Sequence, residues 1–113
     1  MSDQIKEEKI VEIVINFDEA REQGLNESWL RMFGSWTKTI LDAMFRGVSM
    51  PMKVVGSRAD VESFARAVGR EKNHLEAITR YGLNDRRTYQ SKSLLDSSIK
   101  KFENVTGIKW PFR

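Results

Sequence analysis

The sequence predicts an α+β fold of the order β-α-β-α-α, rich in helix, with a small two-stranded sheet covered by its own helices or completed by another chain. Three observations carry that expectation. Residues 9–17 alternate, with Val11, Ile13, Ile15 and Phe17 on one wholly apolar face and Ile10, Glu12, Val14 and Asn16 on a mixed one. Three longer stretches repeat apolar residues every three or four positions, the spacing of a helix with one buried side. Residues 50–55 form a short second strand with Met52 and Val54 on one face, and Pro51, which cannot donate to a ladder, marks its start or edge.

Taken in order, β-branched residues dominate 9–17 and support a strand there. The hydrophilic segment 18–24 is a loop or a single helical turn. Asn26 caps a first long helix, with Leu25 and Leu30 spaced as a hydrophobic staple. Trp29, Leu30, Phe33, Trp36, Ile40, Leu41 and Met44 line its buried side, and Gly47 ends it. After the second strand, Ser57 and Asp60 have capping-box spacing, and Val61, Phe64, Ala65, Val68, Leu75 and Ile78 extend a helix to Tyr81. Gly82 is read as a left-handed stop, with Leu83 folding back on Ile78. A last helix is expected from Ser91 or Ser93, with Leu95, Ile99 and Phe102 inward and Gly107 at its end. Two strands joined through a helix should run parallel.

The length of 113 residues suits one domain over 1–113, with a polar N-terminal extension at 1–8 and an aromatic C-terminal tail at 108–113. With 40% hydrophobic and 31% charged residues, the chain is globular rather than disordered. It has no cysteine, which excludes disulfides and thiol chemistry, and its one histidine, His74, excludes a multi-histidine zinc site. No cofactor motif and no paired base and nucleophile are present, so neither a cofactor, a metal nor an enzymatic activity is expected. No apolar run of signal-peptide or membrane-spanning length is found, and no membrane partner is expected. The charge is divided along the chain. Residues 1–29 hold three basic residues against eight acidic ones, and residues 30–113 hold sixteen against eight. Such a division suits binding of polyanions or head-to-tail pairing of copies.

Four features bear on function. The apolar face of 9–17 has no Lys or Pro guarding its middle, and the tail ends Trp110-Pro111-Phe112, which packs back on the chain's own core or inserts into a neighbouring subunit. Val11, Ile13, Ile15, Phe17, Trp110 and Phe112 are therefore the expected contacts of a homo-oligomer or of another structural protein. Arg66, Arg70, Lys72, Arg80, Arg86 and Arg87 form a basic run able to touch nucleic-acid phosphates, with Glu62, Glu71 and Glu76 interspersed. Residues 64–83, with Gly69 at a turn position, carry the rhythm of a helix-turn-helix, although Arg70 stands where an aliphatic residue is usual. Asp18, Glu19 and Glu22 read as an acidic segment beside a helix start, and Glu71 stands within helical reach of His74.

The strings Lys53-Val54-Val55-Gly56-Ser57, Phe64-Ala65, Glu71-Lys72, Tyr81-Gly82-Leu83-Asn84-Asp85, Phe102-Glu103 and Thr106-Gly107-Ile108-Lys109-Trp110-Pro111-Phe112 resemble those of small uncharacterised proteins of tailed bacteriophages. The likeness covers about the last two-thirds of the chain. It implies a phage protein located in the virion or in the cytoplasm of the bacterial host, and it transfers no functional residue. The leading expectation is thus a non-enzymatic phage protein that acts by self-assembly, a minor structural or accessory component of the virion. The second is a small helix-turn-helix DNA-binding regulator using 64–83. A third is an accessory protein that binds a host factor.

Overall fold

The computed structural model describes residues 12–112. The order is β1 (Ile13–Asn16), α1 (Phe17–Glu22), α2 (Glu27–Phe45), β2 (Met52–Val55), α3 (Arg58–Tyr81) and α4 (Arg86–Thr106). The two strands are parallel, with Ile13 beside Met52 and Ile15 beside Val54. The helix-rich α+β arrangement with a two-stranded sheet is the expected one. No helix among the described residues is long and apolar enough to cross a membrane.

Local chemistry explains most element ends. Asn16 closes β1, because its Oδ1 accepts the Glu19 N–H at 2.9 Å and turns the chain into α1. Phe17 is therefore the first residue of a helix and not the end of a strand. Asn26 Oδ1 accepts the Trp29 N–H at 2.8 Å and starts α2. Ser57 and Asp60 form the full capping box of α3. Asp85 Oδ1 accepts the Arg87 N–H at 2.8 Å, so α4 starts at Arg86, a turn or more before the expected serines. Gly107, at φ 77° and ψ 9°, ends α4 in the left-handed conformation. Gly82 differs. Its φ is positive, but ψ of 172° sends the chain outward, and Leu83 is exposed instead of folding onto Ile78.

Short connection 82–85 makes α3 and α4 antiparallel neighbours. Their pairing is fixed by Thr88 Oγ1, which donates to the Gly82 carbonyl at 2.6 Å and lies 3.3 Å from the Ala77 carbonyl, and by His74 Nδ1 against Ser91 Oγ at 2.8 Å. Gly69 lies inside α3, which runs unbroken from Arg58 to Tyr81. The helix-turn-helix expected over 64–83 is thus corrected: there is no turn in it.

Phe17 is the hub of the core. It is fully buried, with ring centroids 5.7 to 6.2 Å from those of Trp29, Phe33, Phe64 and Phe102. Burial of each such ring contributes about 1.5–3 kcal/mol. Ile13 and Ile15 join this core. The tail joins it as well: Trp110 is buried against Phe64 and Phe102, and its Nε1 donates to Glu71 Oε1 at 2.8 Å. Pro111 packs close to Gly34, where a Cβ would stand 3.4 Å from the Cβ of Pro111.

These positions correct the expected association surface. Ile13, Ile15, Phe17 and Trp110 are spent on the chain's own core, which two strands need because so small a sheet is marginal alone. Val11 lies outside the described residues. Among the five described residues of the set, Phe112 alone keeps a substantial exposed area, at 38%.

A second bond network fastens the ends. The guanidinium of Arg21 forks onto Asp60, at 3.1 Å from Nη1 to Oδ1 and 2.7 Å from Nη2 to Oδ2, while Nη1 reaches the Thr106 carbonyl at 3.4 Å. Asp60 also accepts the Ser57 N–H at 2.9 Å. Arg21 and Asp60 together thereby link α1, the start of α3 and the end of α4. Burial would raise the pKa of Asp60, but the bonds from Arg21 and Ser57 outweigh that and hold it below the ordinary carboxylate value.

Candidate polyanion interface

On α3 and α4 the apolar residues Phe64, Val68, Leu95 and Phe102 face the core. Arg66 and Arg70 stand two positions on from Phe64 and Val68, which places them on the far side of α3 at about 100° per residue. There they meet Lys101 of α4 across a groove of about 510 Å³, lined also by Ser63, Ser97 and Leu94. Arg66 and Arg70 further border a shallower depression with Asn73. Glu62, the acidic residue on this rim, is occupied by Arg58 at 3.0 Å. No ion pair among the described residues engages Arg66, Arg70 or Lys101.

The six expected phosphate contacts divide accordingly. Arg66 and Arg70 come together in the groove. Lys72 does not: it pairs with Glu76 at 2.9 Å and lies 5.8 Å from the Phe45 ring centroid, half-buried near the end of α2. Arg80 and Arg86 stand exposed at the turn end of the hairpin with no carboxylate partner among the described residues. Arg87 is held by Asp85, through Nε at 3.0 Å and Nη2 at 3.1 Å, and its guanidinium carbon lies 3.6 Å from the Tyr81 ring centroid. The bond to Arg87 depresses the Asp85 carboxyl, so the pair is fully charged at neutral pH.

Lys101 was not among the residues that sequence reasoning selected. It is thirty-five positions from Arg66, and only the register between the two helices brings it to the groove. Its spacing from Leu94 and Arg87, seven residues at each step, is the signal that could have found it, since seven residues nearly complete two turns.

His74 and Ser91 sit together within the hairpin, yet the geometry is not that of an activated nucleophile. Ser91 Oγ donates its one proton to the Thr88 carbonyl at 2.8 Å, so the His74 Nδ1 that faces it is the donor of the pair. Glu71, expected within reach of His74, is turned to Trp110 instead. Asp18 pairs with Arg21 at 3.0 Å. Among the described residues no group of three or more His, Cys, Asp or Glu side chains is placed to hold a metal ion.

No family model, no curated protein and no solved structure matches the chain.

Proposed function

We propose that the protein is a non-enzymatic binding protein whose α3–α4 groove takes the phosphates of a nucleic acid. The observation that carries this reading is the convergence of Arg66, Arg70 and Lys101, from two helices, on one groove with no carboxylate partner among the described residues. Like charges brought together without compensation repel one another, and an anion bound between them relieves that repulsion. Arg80 and Arg86 extend the cationic stripe, and the sequence pI near 9.3 favours the same partner. Recognition is by backbone contacts, which give affinity without sequence preference. The phage resemblance fits an accessory protein that attends a genome, in the particle or in the host cell.

Fluorescence anisotropy with a labelled oligonucleotide at low salt tests the reading. The wild-type chain is expected to bind, and Arg66→Ala with Arg70→Ala and Lys101→Ala is expected to abolish binding while leaving the circular dichroism spectrum intact. Equal binding by the triple variant overturns it.

A second reading keeps self-assembly, on different residues from those first expected. Phe112, Pro111, Leu30 and Gly34 line an apolar groove of about 620 Å³, rimmed by Arg31, Lys38 and Lys109 with Glu27 beside them. A second copy is the occupant, with its exposed Asp18, Glu19 and Glu22 complementing that rim. Light scattering after size exclusion decides it: a concentration-dependent dimer that Phe112→Ala dissociates supports assembly, and a monomer at every concentration rules it out.

A further inference from the structure

The helix face that bears the groove continues beyond Arg70. Arg66, Asn73 and Arg80 follow one another at seven-residue steps along α3, and Lys101, Leu94 and Arg87 do so along α4. The antiparallel pairing of Ala77 with Thr88 and of His74 with Ser91 sets these two rows against each other. The rows place Lys101 near Arg66, Leu94 near Arg70 and Asn73, and Arg87 near Arg80. From Arg66 to Arg80 the face is about 21 Å long.

The middle and far end of this face differ from its start. Leu94 is an apolar side chain 48% exposed in the wall of a cationic groove. Arg87 has its charge met by Asp85, so it offers a phosphate little. What it offers is a plane. One face of the guanidinium rests on Tyr81, two bonds to Asp85 fix its orientation, and the side chain is 61% exposed. A planar cation prepared in this way suits stacking by a nucleobase.

We infer that the groove is built for single-stranded nucleic acid, with phosphates on Arg66, Arg70 and Lys101 and bases against Leu94 and the Arg87–Tyr81 stack. This rests on the reading of the groove as a phosphate site. A duplex would present the same phosphates but keep its bases stacked inside, leaving Leu94 and the guanidinium plane without partners. A single strand has bases free to meet both.

The test compares an oligothymidine of about twelve nucleotides with a duplex of the same length and with heparin, by anisotropy and by competition. The wild-type chain is expected to prefer the single strand by roughly tenfold, the scale of one base-stacking contact. Arg87→Lys keeps the charge and removes the plane. It is expected to lose about that factor for the oligothymidine and to bind duplex and heparin as before. Its melting curve checks that α4 is intact, which is expected because the cap bond from Asp85 goes to the backbone of residue 87. Equal affinity for strand and duplex, or an Arg87→Lys variant with unchanged oligothymidine binding, overturns the inference while the phosphate site stands. Failure of all three polyanions to bind overturns both.

Discussion

The two sides of the α3–α4 hairpin are made from interleaved residues of the same helices, and they have opposite fates. On the inner side Phe64, Val68, Leu95 and Phe102 meet α2, β1 and the tail, and almost no surface is left open. On the outer side Arg66, Arg70, Leu94 and Lys101 line an open groove. Several charges elsewhere on the surface are tied in pairs four residues apart: Lys38 with Asp42, Lys72 with Glu76 and Lys92 with Asp96. In the outer groove helix periodicity gathers three cations, and the acid on its rim, Glu62, is paired with Arg58. The inner side accounts for stability, and the outer side is left free for a partner.

Substitutions on the inner side should therefore cost most. Trp110→Ala is expected to lose about 3–5 kcal/mol in a denaturant titration, a typical cost for removing a buried aromatic. Trp110→Phe keeps most of the ring contacts and strips the buried Glu71 of its donor, so about 1–3 kcal/mol is expected. Arg21→Ala comes next, at about 2–3 kcal/mol, because it leaves a carboxylate that is only 2% exposed without its cation. The same pair sets an acid limit. A carboxyl whose folded pKa is depressed contributes stability that is complete above its unfolded value and is lost as pH falls through the folded one. Melts from about pH 5 down to pH 2 should show the wild-type midpoint falling below about pH 4, with a shallower fall for Asp60→Asn.

Smaller effects sharpen the contrast further. Gly69→Ala is expected to stabilise the protein by up to about 1 kcal/mol, since an added methyl meets nothing within 4 Å inside a continuous helix. A turn at that position would give the opposite sign. On the outer side, Arg66→Ala, Arg70→Ala and Lys101→Ala together should shift stability by no more than about 0.5 kcal/mol, measured by the same titration.

Much of the fold was legible in short-range chemistry. Asn26, the Ser57–Asp60 box and Gly107 each act within one helical turn, so the sequence displays them whole. Phe17 was misread because its alternation with Ile13 and Ile15 is real, while the cap at Asn16 that overrides it is an equally local signal pointing the other way. Leu83 was assigned an inward contact because a glycine before it suggests a left-handed stop, and the extended ψ of Gly82 instead carries it outward. Sequence leaves Trp110 between the chain's own core and a neighbour because nothing near it shows that Glu71, thirty-nine residues earlier, will receive its indole N–H. The groove was half legible for the same reason. Arg66 and Arg70 are four apart on one helix, whereas Lys101 reaches them only through the register of the hairpin.

The central claim, that unpaired cations on the outer side hold phosphates, is tested most directly by the salt dependence of oligonucleotide affinity. Three phosphate contacts on a single strand predict a slope of about −2 for log affinity against log salt concentration, through release of counterions. The triple Arg66, Arg70 and Lys101 alanine variant should show no measurable binding across the same range. A wild-type affinity that is indifferent to salt, or a variant that follows the wild-type line, would contradict the account.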